Sequence, residues 1–234
     1  MHAALARVTV VVPVGPGDRV SPVLQAQLAS LPGDAELHLV YASVADAERL
    51  HVDLPGPQDG PSRACQIVAP GRAGQQNAGA ATAGRDWLWF LHADSQLAPA
   101  TLPALAAFVR RDEAALGYFD LRFLDDGPAL TRVNALGTWL RSHWLGLPFG
   151  DQGLVLPRAT FVALGGFDPG LIRGEDHDLV WRARRARVPL RALHAPLYTS
   201  ARKYAERGWW TTTTAHLHES WQQARRFSRA GAAR

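Results

Sequence analysis

Apolar and polar positions alternate along this chain in blocks that switch between strand and helix periods. RVTVVVP reads as a buried strand that stops at Pro13, and SPVLQAQLASL as a helix with Ser21 as N-cap and Pro22 in its first turn. AELHLVYAS is a second strand, followed by a short helix in ADAERL and a loop in DLPGPQDGPS. ACQIVAP gives a third strand, and GRAGQQNAGAATAG a glycine-punctuated loop leading into a helix of small residues. DWLWFLHADS is the fourth strand, with five apolar residues running into His92 and Asp94. A helix near residues 99–111 precedes ALGYFDLRF, a strand with alternating character. In ALTRVNALGTWLRSHWLG, Leu130, Val133, Leu136, Leu140 and Trp144 recur at helical spacing, a stripe expected to face the core. GLVLPRATFVALGGF is a short strand and a helix closed by a glycine pair, and GEDHDLVWRARRARV a helix starting after Gly174. A short strand precedes Arg202 and Lys203. From residue 209, Trp210, Leu217, Trp221 and Ala224 mark an amphipathic helical tail.

Strands alternating with helices at this spacing predict a mostly parallel α/β sheet with right-handed crossovers and helices on its faces. In such sheets ligands sit beyond the carboxyl ends of the strands, which is where His92 and Asp94 fall.

Composition narrows the field. At 234 residues and 47% apolar content, the chain suits one domain with an adequate core. No apolar run approaches the roughly 18 residues of a membrane span, and the N-terminus lacks the pattern of a secretory leader. The single cysteine, Cys65, excludes an internal disulfide framework and agrees with a reducing, cytoplasmic setting. The net charge of +4 comes mostly from scattered arginines, so a solvated basic surface is expected and nucleic-acid binding is not.

Four clusters carry candidate chemistry. His92 and Asp94 lie two apart on an extended backbone and so point to one side, with Ser95 adding an oxygen. Such oxygen donors suit Mg²⁺ or Mn²⁺ held with a diphosphate. Arg72, Gln76 and Asn77 stand at a helix start, where backbone N–H groups favour anions. Glu175 and Asp176 open a helix, which compensates the dipole and also keeps a carboxylate ionised, as a general base requires. Asp151 and Gln152, flanked by glycines, read either as a tight turn or as a wall of the acceptor side.

Taken in order, VVVP, QQNAGAATA, WLWFLHADS, GDQGLVLPRATFVALGGFDP and GEDHDLVWRARR resemble the family-2 glycosyltransferases of the GT-A fold. GRAGQQNAGAA, FLHADS, GDQG and TSARKYAERGWW are similar to a short bacterial subgroup linked to arsenosugar biosynthesis. The resemblance implies a single Rossmann-like GT-A domain over residues 1–208, with residues 209–234 as the tail. It implies an inverting, metal-dependent transfer of a sugar from a nucleotide-diphosphate donor to an unknown hydroxyl acceptor. His92-Ala93-Asp94 matches the family's Asp-x-Asp motif, so Asp94, with His92, would hold Mn²⁺ or Mg²⁺. Asp176 matches the family's base. Pro13, Arg72, Gln76 and Asn77 would line the nucleotide site, Arg202 and Lys203 would reach the diphosphate, and Asp151, Gln152 and Glu175 would face the acceptor.

The chain departs from the family at the end of the second strand, where Tyr41 and Ala42 replace an Asp that contacts the nucleobase. If Tyr41 instead stacks on the base, base preference should be relaxed. A sugar nucleotidyltransferase, with GPGDR and its Arg19 as a nucleotide loop, and a catalytically silent nucleotide-sugar-binding protein both stay open as rivals. So do a homodimer contact and a peripheral membrane contact for the tail helix.

Overall fold

A computed structural model describes residues 1–43, 45 and 61–214. All but Ala45 of the expected helix in ADAERL, almost all of the DLPGPQDGPS loop, and Leu217, Trp221 and Ala224 of the tail lie outside the described residues.

The strands are β1 (Val8–Val14), β2 (Glu36–Tyr41), β3 (Ser62–Ile67), β4 (Trp87–Phe90), β5 (Gln96–Leu97), β6 (Leu116–Phe123), β7 (Val155–Pro157) and β8 (Leu190–Thr199). The helices are α1 (His2–Leu5), α2 (Pro22–Ala29), α3 (Arg72–Ala81), α4 (Thr101–Arg110), α5 (Thr131–Trp144), α6 (Arg158–Ala163), α7 (Glu175–Arg185) and α8 (Arg202–Arg207), with a 3₁₀ turn at Gly150–Gln152. The strands form one sheet in the order β3-β2-β1-β4-β7-β6-β8-β5. The pairs β3–β2, β2–β1, β1–β4 and β6–β8 are parallel, and β4–β7, β7–β6 and β8–β5 are antiparallel.

Both faces of the sheet are covered, which explains the near-continuous apolar strands. Val8, Val10, Val12 and Val14 of β1 and Trp87, Trp89 and Leu91 at β4 pack with Leu24, Leu28, Leu105 and Phe108. Val11, Leu88 and Phe90 face the other layer, with Phe161, Phe167, Leu179 and Val180. Helix α3 lies so close to β1 that a Cβ on Gly79 would come within 2.6 Å of Val11 Cγ1. A small-residue helix is what that approach demands. Helix α2 starts as its sequence predicts, with the Ser21 hydroxyl accepting from Leu24 N at 3.3 Å.

Strand β1 runs one residue past its expected stop. Pro13 pairs with Val40 inside the strand. The Val11 carbonyl accepts from Leu91 N, so Pro13, two residues on, turns its nitrogen toward the same neighbour. By then β4 has ended, and the missing N–H costs no ladder bond.

The stripe on α5 faces the other way from its expected place. Leu130, Val133, Leu136, Leu140 and Trp144 are exposed, Trp144 by 78%, while Thr131, Ala135 and Ser142 are buried. The Tyr118 hydroxyl donates to Ser142 O at 3.0 Å, and the Ser142 hydroxyl is satisfied within the helix by Thr138 O. Small and polar residues therefore seat α5 on β6, and the apolar stripe points out. Leu136→Ser and Leu140→Ser should each change stability by no more than about 0.5 kcal/mol. A core leucine truncated to alanine costs about 2–5 kcal/mol. Urea melts of the two variants check this, and a loss above about 2 kcal/mol would mean the stripe is covered.

The tail starts against α5: Asn134 Oδ1 accepts from Trp209 Nε1 at 2.8 Å, and Asn134 Nδ2 donates to Thr213 Oγ1 at 3.0 Å. Among the described residues, no helix is long and apolar enough to cross a membrane.

Candidate active site

Strand β4 delivers its polar end directly into the crevice beyond the parallel strands. Past Phe90 the chain turns, with Ser95 N donating to His92 O at 3.1 Å and Ser21 N to Ala93 O at 2.9 Å. His92 and Asp94 are both partly buried in this turn. The floor beside it is braced by Gln75, whose Nε2 donates to Val14 O at 2.8 Å and Val40 O at 2.7 Å. One amide thus ties the ends of β1 and β2 together.

Helix α7 brings Asp176 to the same place. Gly150 N donates to Asp176 Oδ2, and His177 N donates to Oδ1 at 2.9 Å. A Cβ on Gly150 would sit 2.9 Å from that Oδ2, so the close approach needs glycine. Burial pushes the Asp176 carboxyl up, but the neighbouring His177, the two backbone N–H groups and Arg72 together hold it below its ordinary value. A carboxylate retains free acceptor positions beyond these two bonds, so Asp176 is ionised and able to take a proton.

Around Asp176 several ionisable groups act on one another. Burial, assisted by the Arg72 and Lys203 charges and opposed by Asp176, drives His92 down to about 3, leaving a neutral imidazole. Asp151 moves the opposite way. Burial, assisted by Asp176 and Asp94 and opposed by Arg141 and Arg72, raises it to about 6. Its Oδ1 is buried without a hydrogen-bond partner. Glu175 is also raised, by burial first and then by Asp176, with Arg72 Nε 3.9 Å from its Oε1. Three carboxylates, Asp94, Asp151 and Asp176, therefore share one crevice with Arg72, Arg141, Lys203 and an uncharged His92. The crowded carboxylates and the neutral imidazole fit a divalent cation beside an anionic ligand.

Several candidates from the sequence have other work. Tyr41 is 1% exposed, part of the core, with its hydroxyl unpartnered, and burial pushes that hydroxyl's pKa well up. No face of its ring is open to stack on a base. Asn77 grips the Phe167 backbone, donating to its O at 2.7 Å and accepting from its N at 2.9 Å. Gln152 does the same, donating to Phe119 O at 2.9 Å and accepting from Phe149 N at 3.1 Å. Both amides are latches rather than ligands. Gln76 is buried, with Oε1 unpartnered. Lys203 reaches His92 electrostatically, whereas Arg202 donates its Nε to Ser200 Oγ at 3.1 Å.

Asn77→Ala should cost about 2 kcal/mol or more in chemical denaturation, because it strands two backbone groups of Phe167. Nucleoside diphosphate affinity, titrated alongside, should stay unchanged.

The structure adds Arg141, which sequence reading missed. Its guanidinium lies over the Phe149 ring, 2.9 Å from centroid to Cζ, and burial lowers it to about 10 against the pull of Asp151 and Asp176. Its Nε and Nη2 are buried without hydrogen-bond partners. Tyr204 of α8 also feels the Asp151 charge. A lone arginine in a helix carries no local signal, so only the tertiary fold reveals it.

Residues 59–167, a little under half of the chain, match the family model described as Glycosyl transferase family 2. No curated relative matches the chain. Among solved structures it is similar to S. aureus TarS, at 13% identity and TM-score 0.61, covering 83% of this chain and 37% of that one. It is also similar to S. aureus TarS 1–349 in complex with UDP, at 15% identity and TM-score 0.59, covering 83% and 60%. The complex of TarS 1–349 with UDP-GlcNAc gives 15% identity and TM-score 0.59, covering 83% and 58%. At such identities the likeness shows the fold, which is the GT-A fold. The chain spans between 37% and 60% of the length of these matched chains.

Proposed function

From the Glycosyl transferase family 2 match over residues 59–167, we propose that this chain transfers a sugar, with inversion, from a nucleoside-diphosphate donor to a hydroxyl acceptor. The observation that carries the reading is Asp176, held by Gly150 N and His177 N and kept ionised beside Arg72, His92 and Asp151. The TarS complexes with UDP and UDP-GlcNAc support this donor class.

Asp94 and neutral His92 would hold Mn²⁺ or Mg²⁺, which when bound neutralises charge developing on a leaving diphosphate. Arg72 and Lys203, whose charges reach His92, would meet diphosphate oxygens. Asp176 accepts the proton of the acceptor hydroxyl as that oxygen approaches the anomeric carbon from the side opposite the diphosphate. Asp151 and Glu175 would border this approach, with Arg141 opposing the rise that burial gives Asp151.

Thermal shifts with UDP and UDP-sugars, with and without Mn²⁺, test the reading, because a ligand of the native state raises the melting point. Stabilisation should require both nucleotide and metal. Asp94→Asn should abolish the metal-dependent part and leave the ligand-free melting point near that of the parent. Unchanged metal dependence in this variant would rule out Asp94 as the ligand.

A further inference from the structure

Asp120 on β6, His143 on α5 and His194 on β8 come together outside the crevice set. Each offers one donor atom, and these atoms all lie within 4.8 Å of one another. We propose that the three form a binding site for a divalent transition metal, Zn²⁺ first among them, that ties α5 to the β6–β8 pair.

The geometry at Asp120 and His143 is that of two ligands awaiting a common partner. His143 Nε2 lies 3.4 Å from Asp120 Oδ1, yet both atoms are buried without a hydrogen bond. Ligands about 2.0–2.1 Å from a tetrahedral Zn²⁺ stand about 3.4 Å apart, the spacing seen here. Buried polar atoms left unpaired are rare, and two facing one small space point to an ion between them.

His143 is held as a metal ligand is held. Its Nδ1 sits 3.0 Å from Trp139 O, and a proton donated there leaves the Nε2 lone pair facing Asp120. The ring stacks on Trp139 at 4.5 Å and 23°, and meets the Tyr118 ring edge-on at 5.7 Å.

His194 arrives by an irregularity in the sheet. Tyr118 pairs with Ala192 but Asp120 pairs with Pro196, so β8 bulges between these rungs. His194 sits in the bulge with φ +51°, a left-handed conformation uncommon for a residue with a side chain. Bulges of this kind re-aim a side chain, and strain of this kind gathers at functional sites. His194 is exposed, which leaves room for a water as fourth ligand. Two imidazoles and one carboxylate suit Zn²⁺ far better than Mg²⁺ or Ca²⁺, which prefer all-oxygen sets.

The test uses untagged, full-length protein stripped of metal and reloaded with Zn²⁺, with Asp94→Asn as the parent so that the crevice lacks its proposed metal ligand. Zn²⁺ content after desalting, calorimetric titration with Zn²⁺, and visible absorption with Co²⁺ as a spectroscopic stand-in are the readouts. The parent should retain one equivalent of Zn²⁺ and give a low-symmetry Co²⁺ spectrum. His194→Ala, at an exposed position that leaves the fold intact by circular dichroism, should weaken Zn²⁺ binding at least tenfold, as should Asp120→Asn. A parent that holds no Zn²⁺ would show that His143 and Asp120 form only an ion pair and would overturn the site. Equal Zn²⁺ affinity in His194→Ala and its parent would overturn it as well.

Discussion

Asp176→Asn is expected to bind the nucleoside-diphosphate donor with near-parental affinity and to lose transfer by about a hundredfold or more, the usual consequence of removing a general base. An asparagine amide can keep an acceptor oxygen toward Gly150 N, so the 3₁₀ turn at Gly150–Gln152 should stay in place. What is lost is the negative charge that His177, Arg72 and two backbone N–H groups hold ionised. Single-turnover transfer assays beside donor titrations separate the two quantities. A collapse of donor affinity with little further loss in the chemical step would reassign Asp176 to the donor site.

Asp151→Asn should stabilise the ligand-free protein while impairing it as an enzyme. The Asp151 carboxyl is raised from 3.8 to about 6, so its charged form is disfavoured in the folded state. Between these values the unfolded chain has released this proton and the folded chain still holds it, so stability falls as pH rises through that window. Asparagine resembles the protonated form at every pH. The variant's gain should therefore be greater at pH 8 than at pH 3.5 by up to about 3 kcal/mol, from the two-unit shift. Urea melts at the two pH values check the sign, and an equal gain at both would remove Asp151 as the source. Stability withheld at one acidic side chain is a familiar mark of a site built to meet a ligand.

Local chemistry explains what was legible in the chain. The Ser21 cap, the double-sided burial of β1 and β4, and the acidic start of α7 at Glu175 and Asp176 each follow from a few adjacent residues. The direction of α5 does not. Its period gives a helix, but Ala135, Ser142 and the hydroxyl of Tyr118 decide which side is seated, and Tyr118 lies in a different element. Side-chain amides misled in a similar way. Asn77 and Gln152 stand among candidate ligands in sequence, yet Asn77 spends both ends of its amide on the distant Phe167 backbone and Gln152 spends its ends on Phe119 and the nearby Phe149. Arg141, and the meeting of Asp120, His143 and His194, depend on contacts across tens of residues and leave no trace in any short window.

The pairing order of the sheet also governs how the chain must be made. Strand β4, Trp87–Phe90, lies between β1 and β7, but β7 begins only at Val155. As synthesis proceeds, a Trp-Leu-Trp-Phe edge that has already found β1 must wait, unpaired on its other side, for more than sixty further residues to emerge. Such an edge is a template for joining other nascent chains. The same late segment supplies Phe167, whose backbone Asn77 must grip. A pause in translation before Val155 would therefore lengthen the time for which this edge stands open to another chain.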